Sequence, residues 1–163
     1  MPAGLTAFVF VHVEQPIGVG FPEATAGLSA MVANGWLKQA SADAYESGRT
    51  GLARVGPRGD VALLSKLVEV RVRDVVIHDG SAVLTLRWEA TGHGGSLFPA
   101  LDADITLTSA GDGTSLLTLD GAYRPPLAAL GTALDKVILN RVATSTMRSL
   151  LAQIAKSITS KAE

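Results

Sequence analysis

Tyr123 and Arg124, at the end of an alternating apolar run and just before Pro125-Pro126, set a phenol beside a guanidinium. Such a pair can orient a polar group or polarise a carbonyl. His93 lies in Thr91-Gly92-His93-Gly94-Gly95, a loop composition able to close over a site and present an imidazole as proton donor. His93, Tyr123 and Arg124 are the candidates for catalysis, with a plain loop and a plain surface charge as the simpler accounts of His93 and Arg124. Asp102 and Asp104 share a strand face about 7 Å apart, a spacing that suits paired carboxylates. They oppose Ala103, Ile105 and Leu107, however, and fall on the face that also carries Arg71, Arg73, Arg87, Glu89 and Asp120, so a charge-paired outer surface is the expectation. His12-x-Glu14 offers two metal-capable side chains and no third ligand, so no metal is expected. His78 borders the Asp79-Gly80 turn and shares the face of Val72 and Val76 only if Asp74 makes no bulge. Gly18-Val19-Gly20 lacks the fuller glycine pattern and the lysine of a phosphate loop, and Arg58-Gly59-Asp60 reads as a turn. No cofactor is expected.

A second group of residues could hold a ligand without reacting with it. The chain has only two tryptophans, two tyrosines and four phenylalanines. Trp88, Phe98 and Tyr123 fall on the apolar strand face or at its rim, where they could stack on a planar molecule or simply fill a core. With Leu86, Leu107, Leu119, Ile138 and Val142 they make the expected lining of an apolar cavity.

These side chains need a sheet and a long helix to position them. Ala7–Val13 is β-branched and aromatic enough for a first strand, which Pro16, Gly18 and Gly20 should stop. Pro22 opens a helix whose Ala24, Leu28, Met31 and Val32 recur at three and four residues until Asn34-Gly35, with a break at Gly27 as an alternative. Leu37–Ser47 suggests another short helix, and Thr50–Val55 a strand before the Gly-Pro-Arg-Gly-Asp turn. From Val68 the pattern has period two: Val68, Val70 and Val72; Leu84, Leu86 and Trp88; Ala103, Ile105 and Leu107; Leu117, Leu119 and Tyr123. The turns at Asp79-Gly80 and Gly111-Asp112-Gly113 make this an antiparallel meander. Leu127 to Ile158 reads as one helix. One of its stripes is Leu127, Leu130, Leu134, Ile138 and Val142, and another is Leu139, Ala143, Met147, Leu150, Ile154 and Ile158. A helix apolar on two sides suggests enclosure by a curved sheet, or a kink near Asn140.

At 163 residues, with 47% hydrophobic residues and no linker-like stretch, the chain fits a single domain, 1–163, able to bury a core without staples. Without cysteine there are no disulfides or thiolates, which suits a reducing compartment. Fourteen basic against fifteen acidic residues, with no like-charge run, provide no footprint for nucleic acid. No apolar run reaches the length of a membrane span, and the N-terminal run reads poorly as a signal peptide. A soluble, cytoplasmic protein is expected.

This order of elements, an α+β helix-grip fold in which a curved antiparallel sheet wraps a long C-terminal helix, resembles the START/Bet v 1-like (SRPBCC) superfamily. The stretch RWEATGHGGSLFPALDADITLTSAGDGTSLLTLDGAYRPPLAALGTALDKVILNRVA resembles uncharacterised actinobacterial members. The chain departs from the common pattern at Gly18-Val19-Gly20-Phe21, after the first strand. The resemblance implies a cavity between sheet and helix, and a superfamily of lipid and sterol carriers, receptors, polyketide cyclases, aromatases and ring-oxygenase subunits. Fold alone does not choose among these. Binding or carriage of a small hydrophobic molecule, lipid or polyketide-like, is the leading expectation. The alternatives are a cyclase, aromatase or dehydratase using the same cavity, and a non-catalytic interaction protein with a filled core, able to form a homodimer.

Overall fold

The computed structural model describes residues 9–55, 68–90, 100–124 and 136–162. Strand β1 (Val9–Ile17) leads into helices α1 (Phe21–Ala33) and α2 (Trp36–Val55). Strands β2 (Val68–Val72), β3 (Val76–His78), β4 (Ser81–Ala90), β5 (Ala100–Gly111) and β6 (Thr114–Arg124) follow, and helix α3 (Lys136–Ala162) completes the fold. All the strands join one antiparallel sheet in the order β1-β6-β5-β4-β2, with β3 also on β4. The fold is α+β of the helix-grip kind, with α1, α2 and α3 against one face of the sheet.

Period two made the sheet. Leu84, Leu86 and Trp88, then Ala103, Ile105 and Leu107, then Leu117, Leu119 and Tyr123 all point inward and are buried. Between them lie exposed polar residues, among them Asp102 and Asp104, while Arg71 pairs with Glu69 at 2.7 Å and Arg87 with Glu89 at 3.8 Å. The chain reverses at Asp79-Gly80 with positive φ at both residues, the conformation that suits a tight hairpin. Gly121 is needed for a different reason. A Cβ there would lie 2.7 Å from the Ala103 Cβ and 3.0 Å from the Asp102 carbonyl oxygen, so glycine lets β5 and β6 approach where the inner face is most crowded.

Two local expectations, the stop at Pro16 and the strand Thr50–Val55, are corrected, and those left open at Gly27 and Asp74 are decided. Strand β1 runs on through Pro16 to Ile17, because it is an edge strand and a proline there costs no ladder hydrogen bond. Helix α1 continues across Gly27, whose missing side chain lets Ile158 of α3 pack close, a Cβ there lying 3.5 Å from Ile158 Cγ1. Thr50–Val55 is not a strand but the end of α2, since extending an existing helix adds a hydrogen bond per residue without a new nucleation cost. Three residues, Arg73, Asp74 and Val75, oppose Leu84 and Thr85 of β4, a bulge that puts His78 on the outer face and leaves Val76 and Ile77 exposed. Of the two apolar stripes expected for α3, the one through Ala143, Met147, Leu150, Ile154 and Ile158 is buried and Val142 of the other is partly buried, while Leu127, Leu130 and Leu134 lie outside the described residues. Ala143, Met147, Leu150, Leu151, Ile154, Ala155 and Ile158 are buried, while Arg141, Arg148, Gln153 and Lys156 face outward.

Asn34 and Gly35 close α1 as the sequence predicts, Gly35 taking a positive φ. The Asn34 side chain then accepts the Trp36 N–H at 2.9 Å and so starts α2. Glycine and Asn thus turn the chain in two residues, which aims the inner face of α2 at the sheet. After β1, the Ser115 hydroxyl donates to the Val19 carbonyl at 2.7 Å in a buried bond, fixing the segment that the two flanking glycines leave free to bend.

Candidate functional site

One row of the inner face differs from those beneath it. Reading across the strands, it is Val70, Trp88, Leu101, Tyr123 and Val9, each within 5% of complete burial. The next rows, through Leu86 and Ala103 and then Leu84, Ile105 and Leu119, hold aliphatic side chains only. Trp88 and Tyr123 flank Leu101 from adjacent strands, about 10 Å apart at the backbone by sheet spacing. Helix α2, packed against α3 and β2, buries the stripe Leu37, Ala40, Ser41, Ala44 and Tyr45 at the spacing of one helix face. The Tyr45 ring meets Trp88 edge to face, with 6.3 Å between centroids and planes at 87°.

The polar atoms of this row lie in an apolar enclosure. Among the described residues, neither Trp88 Nε1 nor Tyr123 Oη has a hydrogen-bond partner, though both are buried. Burial pushes the Tyr123 phenol well above its ordinary value of 10.0, and the neighbouring Tyr45 adds to the shift. Tyr123 is therefore a neutral donor at any physiological pH and not a base. Thr25 Oγ1 of α1 and Ser41 Oγ of α2 are likewise buried without a partner among the described residues. Leaving such a group unpaired costs about 1–3 kcal/mol, so several in one interior call for a partner beyond the described residues.

The residues picked out by sequence divide as follows. Trp88 and Tyr123 come together in the row, and Leu86, Leu107 and Leu119 are buried on the same face. Val142 packs partly buried against the core, and Ile138 lies in the first turn of α3. Arg124 follows Tyr123 on β6, so strand alternation directs it to the other face, with its Nε buried. His93 and Phe98 lie outside the described residues. Tyr45 was missed, although its stripe from Leu37 was a readable signal.

The outer face carries the other constellation. His12 sits between Asp120 of β6, at 2.5 Å from Nδ1, and Glu14 of its own strand, at 3.0 Å from Nε2. The hydrogen bond to Asp120 first, then that to Glu14, raises the imidazole above its ordinary 6.5. All three side chains are more than half exposed, and no group of three or more His, Cys, Asp or Glu among the described residues could hold a metal. No helix among the described residues is long and apolar enough to cross a membrane.

No family model matches the chain, and no curated protein matches it. Solved structures do. A conserved protein from Geobacillus kaustophilus is 14% identical over 91% of this chain and 94% of that one, with a TM-score of 0.50. A point mutant of norcoclaurine synthase from Thalictrum flavum, in complex with a transition-state analogue, is 11% identical over 97% and 98% of the two chains, with a TM-score of 0.47. The Zhui aromatase/cyclase from Streptomyces sp. R1128 is 8% identical over 92% and 94%, with a TM-score of 0.33. At these identities the likeness is one of fold: a curved antiparallel sheet closed over a C-terminal helix.

Proposed function

We propose that the interior between the sheet and helices α2 and α3 binds a small hydrophobic molecule, lipid or polyketide-like, and that the protein is a carrier or receptor for it. The supporting observation is the pair of buried donors on Trp88 and Tyr123, without a partner among the described residues, in a row shared with Leu101 and next to that of Leu86 and Ala103. Ordered water could pair with these atoms, but apolar walls favour a ligand whose body fills the space and whose polar end meets the donors. Enclosing about 300 Å² of apolar ligand surface gives several kcal/mol before association costs, enough for micromolar binding. Membership of the START/Bet v 1-like superfamily, with actinobacterial kin, fits the order of elements. Phe10, 81% exposed on edge strand β1, fits a homodimer, and the absence of cysteine fits a cytoplasmic location.

Catalysis of the cyclase or aromatase type would need a proton acceptor in the same interior. Among the described residues the buried polar side chains there are hydroxyls and an indole, and Tyr123 holds its proton, which favours binding. Native mass spectrometry of freshly purified protein against its denatured mass tests the proposal. A mass excess lost on denaturation supports it. No excess, together with no change in melting temperature across fatty acids, sterols and aromatic polyketides, would move the assignment to a filled-core interaction protein.

A further inference from the structure

Resting on that binding reading, we infer that the interior selects an uncharged ligand bearing a carbonyl oxygen, which accepts hydrogen bonds from Trp88 Nε1 and Tyr123 Oη, and that it rejects the carboxylate of a fatty acid. The indole N–H can only donate, and it is buried without an acceptor among the described residues. The phenol can donate as well, and burial keeps it protonated. Two buried donors in one apolar row match an oxygen with two lone pairs. A hydrocarbon would leave both unpaired.

The charge of the acceptor follows from the groups around the row. A buried carboxylate needs a cation or several charge-assisted hydrogen bonds to offset its lost hydration. The row supplies Val70, Leu101 and Val9 beside its two donors, and Tyr45 of α2 lies against Trp88. No Lys, Arg or His is buried among the described residues of the inner face. Arg124, the nearest cation in sequence, belongs by strand alternation to the opposite face. A ketone, aldehyde or ester therefore fits where an acid does not. Tyr45, edge-on to Trp88, holds the indole plane so that its N–H keeps one direction, making the recognition geometric as well as polar.

The test uses three ligands with the same number of carbons, methyl nonyl ketone, undecanoate and undecane, titrated at neutral pH into wild-type protein and Tyr123→Phe. Binding is followed through the indole N–H resonance of Trp88, distinguished from that of Trp36 by Trp88→Phe. The ketone is expected to bind about tenfold or more tighter than either of the others, a difference of about 1.4 kcal/mol, and to shift the Trp88 resonance downfield. Tyr123→Phe should weaken the ketone alone. Equal binding of ketone and undecane, or undecanoate binding as tightly as the ketone, overturns the selectivity and leaves the binding role standing. If none of the three binds, both fall.

Discussion

The two faces of one sheet treat polar groups in opposite ways. On the outer face His12 has a carboxylate at each ring nitrogen, the Thr85 hydroxyl donates to Asp104 at 3.1 Å, and Arg71 and Arg87 each meet a glutamate. Water competes for every one of these bonds, so each contributes little to stability. On the inner face, at the row through Leu101, the polar atoms have no competing water and no partner among the described residues. A fold optimised for stability alone would put Phe and Leu in place of Tyr123 and Trp88. Surplus polarity inside and well-satisfied polarity outside make the inner row the place where the proposed ligand site is to be tested.

Substitutions on the two faces should separate widely in effect. Trp88→Ala removes the largest buried side chain and the platform for Tyr45, and chemical denaturation should show a loss of about 3–5 kcal/mol. Next in size is Gly121→Ala, at about 1–3 kcal/mol from the Cβ forced against Ala103, and adding Ala103→Gly should recover most of it. If the double variant recovers nothing, the close approach is not the reason for glycine. On the outer face Asp104→Ala should change stability by no more than about 0.5 kcal/mol.

His12→Ala should have the smallest effect, visible through its pH dependence. The folded-state pKa of His12 is raised, so the stabilisation is fully present below the unfolded value of 6.5 and is lost as pH rises through the folded value. Melting curves of wild type and His12→Ala should therefore differ at about pH 5.5 and coincide by about pH 9. A difference that grows with pH would mean the carboxylates, and not the imidazole, control this edge of the sheet.

The inner face was readable because burial on one side imposes a strict period of two, and Leu84 to Trp88 or Leu117 to Tyr123 have no second interpretation. The errors arose where local pattern was weak or a distant contact decided. Thr50–Val55 has a short alternation that an adjoining helix overrides, and a bulge at Arg73–Val75 shifts parity without any glycine to announce it. Pro16 looked like a stop because edge position is a property of the whole sheet. For the proposed site, Trp88 and Tyr123 could be named from the sequence, but that their polar atoms have no partner among the described residues depends on how the helices pack over the sheet. Tyr45 enters for the same reason: an aromatic on a helix becomes part of a site only once the helix is docked.

The central claim of the proposed function, that the Tyr123 hydroxyl, without a partner among the described residues, is kept for a ligand, is tested most directly by the stability of Tyr123→Phe in protein refolded from denaturant to remove any bound molecule. Losing an unpaired buried hydroxyl should leave stability unchanged or raise it by about 1 kcal/mol. A loss of about 1 kcal/mol or more would show that the hydroxyl is bonded inside the folded chain and would contradict the account of the inner row as a ligand site.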